Sequence, residues 1–336
     1  MYEGRFFGFI RKNVREDNEP LMEMKMLIHA KKIICSTVLV ISFLLNCSLG
    51  YANQELSNVK DNETNKVEPD DANVMYSIGL RYYKGDGVEK NFAEAARWFQ
   101  KASDKGLPWA MVALGRCYYG GTGVEKNITE AIGWFQKASD IGYPEAMFEL
   151  ARCYLNGVGV KESKTEAIKL FNCAAMCGNS SAMFFLGLSY YDGTGVEKDF
   201  AEATRWIRKA ADEGLPQAMY ELARCYRTGT GVEKNSTEAT KWLCKASDSE
   251  YPKAMFELGC CYYQGVSVKE SKTEGLKLFN KAAMCGNTNA MVALALCYYD
   301  GDGVEKNVTE AVKLMRKAAE LGDENAKQFL QEIDKK

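Results

Sequence analysis

The chain has 336 residues, 46% of them hydrophobic and 26% charged, which is the composition of a soluble globular protein. Its 43 lysines and arginines against 45 aspartates and glutamates leave a formal net charge of −2, and no basic tract reverses that balance. These figures argue against a nucleic-acid partner. Such a length ordinarily suggests about two or three domains, a prior that internal repetition overrides.

The front of the chain reads as an export signal over residues 1–52, with a start codon placed too early. Residues before Met26 carry Arg11, Lys12, Arg15, Asp17 and Glu19 in no periodic pattern. Lys25, Lys31 and Lys32 supply a positive start, Ile33–Leu45 is an uncharged run of 13 residues, and Gly50-Tyr51-Ala52 places small residues at a cleavage site. We expect cleavage after Ala52 and a secreted or periplasmic mature protein of mildly acidic charge. The apolar run is shorter than the about 20 residues of a spanning helix. An uncleaved anchor is the alternative, and the only membrane contact expected. Leu44-Leu45-Asn46 ahead of Cys47 resembles a lipoprotein signal, but Asn46 stands where that signal needs a small residue. Residues 53–73 are polar, acid-rich and poor in aromatics, the composition of a disordered tether.

From Val74 to Asn325 the chain repeats every 36 residues, seven times, without insertion or deletion. Units start at Val74, Ala110, Ala146, Ala182, Ala218, Ala254 and Ala290, and a truncated start follows at Ala326. A second periodicity of 108 residues relates Thr122–Ser163 to Thr230–Ser271, as though a three-unit block was duplicated and then extended. A period of this size marks a stacked array, so function belongs to a surface rather than a pocket.

In the second unit Ala110, Leu114, Cys117 and Tyr118 share one face of a helix that ends near Gly120. A G-x-G-V turn follows at Gly121 and Gly123 and recurs in most units, as expected of a backbone that needs positive φ. Asn127-Ile128-Thr129-Glu130 then reads as a capping box. Its Asn127 side chain accepts from a free backbone N–H, while Glu130 reaches back to the cap residue. A second helix presents Ala131, Trp134, Phe135 and Ala138 inward and ends at Gly142 and Pro144. Each unit is thus an antiparallel helical hairpin that cannot bury its apolar face alone. Ala326, Leu330 and Ile333 repeat the first-helix pattern, so 326–336 reads as a C-terminal capping helix.

The motifs A-M-x-x-L-[GA]-x-C-Y-Y-x-G-x-G-V and E-A-x-x-W-F-x-K-A, covering residues 74–325, resemble the Sel-1-like repeat family, relatives of the tetratricopeptide repeats. The resemblance implies an all-α fold, a right-handed superhelical solenoid of seven hairpins, used as a scaffold or adaptor for a protein or peptide partner. Departures are local. Ser267 replaces the second turn glycine of the sixth unit, Gly275 replaces its helix alanine, and Glu250 replaces the terminal glycine of the fifth. A looser sixth hairpin is the expectation.

Catalytic chemistry is poorly provided for. The one histidine, His29, lies in the signal, which removes Ser-His-Asp and Cys-His nucleophiles and the usual zinc set. No metal site and no cofactor is expected. The glutamates equivalent to Glu130 are accounted for by capping, and the methionines from Met75 to Met291 by core packing. Ten cysteines follow Ala52. Cys117, Cys153, Cys225, Cys261 and Cys297 share one helix position, whereas Cys173, Cys177, Cys244, Cys260 and Cys285 are scattered. Cysteine-rich members of the family staple their hairpins, but the regular pairing is missing here. Inert thiols and one or two irregular bridges both remain open. N-x-[ST] sequons at Asn62, Asn127, Asn179, Asn235 and Asn307 would matter only in a eukaryotic secretory pathway, where a glycosylated luminal adaptor is a further reading.

If the family geometry holds, first helices line a concave face and expose the third, seventh and tenth residues of each unit. The third position supplies Phe148, Phe184, Tyr220 and Phe256, the seventh Arg116, Arg152 and Arg224, and the tenth Tyr119, Tyr191 and Tyr263. That composition is typical of interaction hot spots. Against it stands the commoner fate of such aromatics, packing between hairpins. The arginines would prefer a carboxylate-bearing ligand. The expected function is an exported non-enzymatic interaction scaffold. The alternative is a cysteine-rich Sel-1-like enzyme with β-lactamase or penicillin-binding activity, against which the missing histidine and S-x-x-K count.

Overall fold

The computed structural model describes residues 70–333. The expected signal, with His29 and Cys47, and the tether up to residue 69, with Asn62, lie outside the described residues. Fifteen helices follow one another: α1 (Ala72–Lys84), α2 (Phe92–Asp104), α3 (Pro108–Gly120), α4 (Ile128–Asp140), α5 (Pro144–Asn156), α6 (Lys164–Met176), α7 (Ser180–Asp192), α8 (Phe200–Asp212), α9 (Pro216–Thr228), α10 (Ser236–Asp248), α11 (Pro252–Gln264), α12 (Lys272–Met284), α13 (Thr288–Asp300), α14 (Val308–Glu320) and α15 (Glu324–Ile333). Odd-numbered helices up to α13 are the first of each hairpin, even-numbered ones the second. Each first helix begins two residues ahead of its Ala-Met pair, or Val74-Met75 in the first unit, so Ala72 and Asn73, read as the end of the tether, are already helical.

The helix starts follow from local chemistry. Four first helices carry proline at their opening position, Pro108, Pro144, Pro216 and Pro252, where its missing N–H costs nothing. The fourth and seventh units lack that proline and use Asn179 and Asn287 instead, whose side chains accept from the Ala182 and Ala290 N–H groups at 2.7 and 2.8 Å. First helices end on a left-handed glycine, as at Gly121, whose N–H donates to the Cys117 carbonyl.

The second helices start as expected in one half of the capping box only. Asn127 Oδ1 accepts from the Glu130 N–H at 3.2 Å. The Asn127 backbone N–H, however, donates to the Tyr118 carbonyl at 2.9 Å, not to Glu130. The same bond closes all seven hairpins, from Asn91 to Tyr82 through Asn307 to Tyr298. Tyr118 lies in the last turn of α3, where helical carbonyls lack an intrahelical partner, so this bond satisfies both ends of the turn. Six of the seven glutamates pair instead with a base three residues on, as Glu166 with Lys169 and Glu274 with Lys277, both at 2.7 Å, whereas Glu130 has Gly133 there.

Each second helix is packed between its own first helix and the first helix of the next unit. Ala131, Trp134, Phe135 and Ala138 are buried there, with Ala110, Leu114 and Cys117 against them. The alanines bring the helices close, and six of the seven repeated methionines are buried, with Met147 half-buried. The terminal α15 buries Ala326 and packs Phe329 and Leu330 on the last cluster, so the final hairpin does not expose its apolar face.

The second turn glycine answers a closer need than φ alone. A Cβ on Gly123 would lie 1.9 Å from the Phe92 carbonyl oxygen, and one on Gly231 the same distance from that of Phe200. Each turn therefore rests on the N-terminus of the preceding unit's second helix. Ser267 keeps the same left-handed backbone at φ 60, and Glu250 does likewise at φ 57. The sixth hairpin is not loosened. Gly275 lets α11 and α12 approach until a Cβ there would lie 2.9 Å from the Gly259 carbonyl.

Candidate functional site

The face made by the first helices is built by contacts that run from one unit to the next. Arg116 of α3 reaches Glu149 of α5, and Tyr220 of α9 reaches Glu257 of α11. The third-position aromatics divide. Phe148 is only 7% exposed, with its ring centroid 5.8 Å from Phe171 and 5.5 Å from Phe185. This corrects the expectation that it lines a groove: Phe171 of α6 and Phe185 of α7 close over it. Phe184, Tyr220 and Phe256 are half-buried, each resting on a neighbouring ring: Phe185, Tyr251 and Phe279, at 6.2, 5.5 and 5.7 Å. Tyr119 and Tyr191 are exposed. Tyr263 is half-buried, its hydroxyl donating to Asp302.

Arg116, Arg152 and Arg224 are half-exposed, and none is a bare cation. Arg116 donates to Glu149 through Nε at 2.8 Å and also binds Glu145. Arg152 reaches the other oxygen of Glu149 at 3.2 Å, and Arg224 pairs with Glu221 at 2.7 Å. Burial works against the charge on Arg116 and Arg224, yet Glu149 and Glu221 hold both guanidinium groups above their ordinary pKa. The preference for a carboxylate ligand is corrected accordingly: each arginine already has its carboxylate. Sequence reasoning missed Glu145, Glu149, Glu221 and Glu257. Three of them occupy the fourth position of their units, one residue past the aromatic.

The Tyr220 hydroxyl donates to Glu257 at 2.7 Å, and Arg227 pairs with the second oxygen of Glu257 at 3.2 Å. Burial, then the Glu257 hydrogen bond, pushes the Tyr220 pKa far up, so the hydroxyl stays a donor. The face therefore alternates aromatic rings with fixed, internally neutralised Arg–Glu pairs.

A cleft of about 310 Å³ opens between α11 and α13, lined in part by Cys260, Tyr263, Leu296, Cys297 and Asp302. There Cys297 Sγ donates to the Tyr263 hydroxyl at 3.5 Å, and Lys272 pairs with Asp302 at 2.6 Å. This chain of bonds ties the sixth unit to the seventh. Burial pushes the Cys260 thiol up to about 11, as it does Cys117 and Cys153, and a protonated thiol is a poor nucleophile. All ten cysteines among the described residues are free thiols. Those residues contain no cluster of three or more His, Cys, Asp or Glu side chains that could hold a metal.

Fold and surface together define an all-α repeat solenoid whose distinctive residues lie on an extended helical face. The Sel1 repeat model matches residues 72–107, 110–143, 144–179, 180–215, 216–251, 252–287 and 288–323, and the chain belongs to that family. Sel1-repeat proteins are generally protein-interaction scaffolds. No curated protein matches the chain. Among solved structures it is similar to a Sel1 repeat protein from Oxalobacter formigenes, with 30% identity over 78% of this chain and 76% of that one, at a TM-score of 0.65. It is also similar to c5321, a protective antigen of uropathogenic Escherichia coli with the same repeat fold, at 33% identity and a TM-score of 0.62. That match covers 78% of this chain and 56% of the antigen's length.

Proposed function

We propose that the chain is an exported, non-enzymatic scaffold that binds a peptide or protein segment on the concave face of its first helices. The observation that carries this reading is the row of half-buried rings, Phe184, Tyr220 and Phe256, among arginines and glutamates already locked in pairs. Locked side chains lose little entropy when a ligand arrives, and their outward N–H groups and oxygens still accept or offer hydrogen bonds. Because the pairs are neutral, recognition rests on ring packing and backbone hydrogen bonds more than on net charge. Export rests on Lys31, Lys32 and the apolar run Ile33–Leu45. Among the described residues no helix is long and apolar enough to cross a membrane. Buried, protonated thiols favour binding over hydrolysis; nitrocefin turnover by the purified chain would overturn that part.

The test is co-purification of residues 53–336 from the native host, read by mass spectrometry, beside a Phe184→Ala, Tyr220→Ala, Arg224→Ala variant. A bound protein should be retained by the native chain and reduced about tenfold or more in the variant at unchanged helicity. Equal retention by both would remove the assignment of this face.

A further inference from the structure

Among the described residues, one pair of exposed apolar side chains recurs at the 108-residue period. In the first unit Tyr83 and Phe92 are 41% and 37% exposed, and their rings meet edge to face at 5.2 Å and 65°. Three units on, Tyr191 and Phe200 are 36% and 39% exposed and meet at 5.2 Å and 67°. Three units further, the corresponding residues are Tyr299 and Val308, the latter exposed. The seventh position adds Leu80, Leu188 and Leu296, each one helical turn from its tyrosine and hence on the same face. Leu296 is exposed and also lines the cleft between α11 and α13.

A lysine stands at each of these places. Lys90 Nζ lies 4.8 Å from the Phe92 ring centroid, Lys198 4.7 Å from Phe200, and Lys306 5.7 Å from Tyr299. Among the described residues none of the three has an acidic partner. They differ in this from Arg116, Arg152 and Arg224.

Common descent from a duplicated block does not account for the pattern. The same duplication relates the second unit to the fifth, yet their tenth positions have diverged to Tyr119 and Arg227, and their second helices open with Ile128 and Ser236. Between the third and sixth units, Leu155 has become Tyr263 and Arg152 corresponds to Cys260. Nor is the exposure an end effect, because the fourth unit lies mid-array. Holding an exposed Tyr–Phe pair in units one and four, with Tyr299 and exposed Val308 in the seventh, while their neighbours drift, points to a shared use.

We propose that units one, four and seven carry three equivalent docking patches, each an apolar pair beside an unpaired lysine, for one partner that repeats an apolar side chain flanked by carboxylates. The occupant is an acidic, multivalent peptide segment, chosen by the complementarity of the three free ammonium groups and by the recurrence of the patch. The proposal rests on the scaffold reading above but uses different residues. Each packed helix adds about 10 Å, so patches three units apart are on the order of tens of ångströms from each other. A flexible linker of about 30 residues has a matching mean span, and linking then converts later contacts into intramolecular ones.

The test is fluorescence anisotropy on residues 53–336 with labelled peptides: one Asp-Phe-Asp motif, three such motifs joined by about 30-residue Gly/Ser linkers, and a Lys-Phe-Lys control. The three-motif peptide should bind at least about tenfold tighter than the single motif. A Tyr191→Ala, Phe200→Ala variant, altered only at exposed rings, should lose about tenfold for the three-motif peptide while keeping its helicity. Lys198→Glu, which cannot unfold a surface site, should weaken the acidic peptide and favour the lysine control. No binding up to about 1 mM, equal affinity for one motif and three, or indifference to both variants would overturn the proposal. If the co-purified host protein is still lost from the Phe184, Tyr220, Arg224 variant in that event, the scaffold reading stands without the patches.

Discussion

Arg116 of α3 and Glu149 of α5 are joined across two successive units, with Nε donating to Oε1 at 2.8 Å and a second guanidinium nitrogen on the same oxygen at 2.6 Å. The Glu149 side chain is 11% exposed, and Arg152 holds its other oxygen. A carboxylate this far from water depends on its donors, whereas the arginine is half-exposed and screened.

Arg116→Ala should therefore destabilise the array by about 1–2 kcal/mol, more than an ordinary surface pair and less than a fully buried one. Adding Glu149→Ala should cost less than the sum of the two single changes, with a coupling of about 1 kcal/mol, because the orphaned carboxylate is removed. Urea unfolding followed by circular dichroism measures all three. Simple additivity would show that the contact carries no energy.

The buried thiols set the alkaline limit of stability. Burial moves Cys117 and Cys153 up to about 11, and Tyr143, helped by Glu145, up to about 12. All three are neutral when protonated and titrate higher in the folded chain than in the unfolded one. Their contribution is complete below about pH 9 and is lost as pH rises through 11 for the thiols and 12 for the tyrosine. The melting temperature should fall over that window, and a Cys117→Ala, Cys153→Ala variant should flatten its lower part. At neutral pH a disulfide reagent should modify exposed Cys285 first, with Cys117, Cys153, Cys225 and Cys297 reacting only as the chain opens. Rapid labelling of more than the partly exposed thiols would contradict this burial.

The hairpins, their glycines and the inward faces were legible in the sequence because each rests on contacts within about four residues or on a pattern repeated seven times. Glu149 beside Arg152 is also a local, three-residue spacing and was readable. Its bond to Arg116, 33 residues earlier, was not, since that depends on how one unit rotates against the next. The burial of Phe148 has the same origin: its cover is Phe185, a residue of the following unit. The capping glutamates failed for a different reason. The box pattern at Asn127 and Glu130 does not reveal that the Tyr118 carbonyl, equally in need of a donor, already occupies the Asn127 N–H.

Two positions carry removable backbone strain. Ser267 and Glu250 hold φ 60 and φ 57 where other units place glycine. A side chain in that region costs about 1–2 kcal/mol, against which glycine loses about 0.5–1 kcal/mol of chain entropy. Ser267→Gly and Glu250→Gly should each raise stability by about 0.5–1 kcal/mol, additively, since they lie in separate turns. A loss of stability in either would mean that the side chain makes a contact worth more than the strain.

The turn glycines should then separate by what lies beside them. Gly123 and Gly142 share nearly the same requirement, at φ 74 and φ 85. A Cβ on Gly142 meets nothing within 4 Å, whereas one on Gly123 lands 1.9 Å from the Phe92 carbonyl oxygen and 2.8 Å from the Ala93 nitrogen. Gly142→Ala should cost only the backbone strain, about 1–2 kcal/mol. Gly123→Ala adds a collision with backbone that no rotamer relieves, so the second turn must lift off the start of α2, for a total of about 3 kcal/mol or more. The damage should also be local to that junction: hydrogen exchange should rise around Phe92–Glu94 and in the 120–127 turn while the units beyond the fourth keep their protection. Equal losses from the two substitutions, or exchange raised along the whole array, would show that this contact does not couple the first unit to the second.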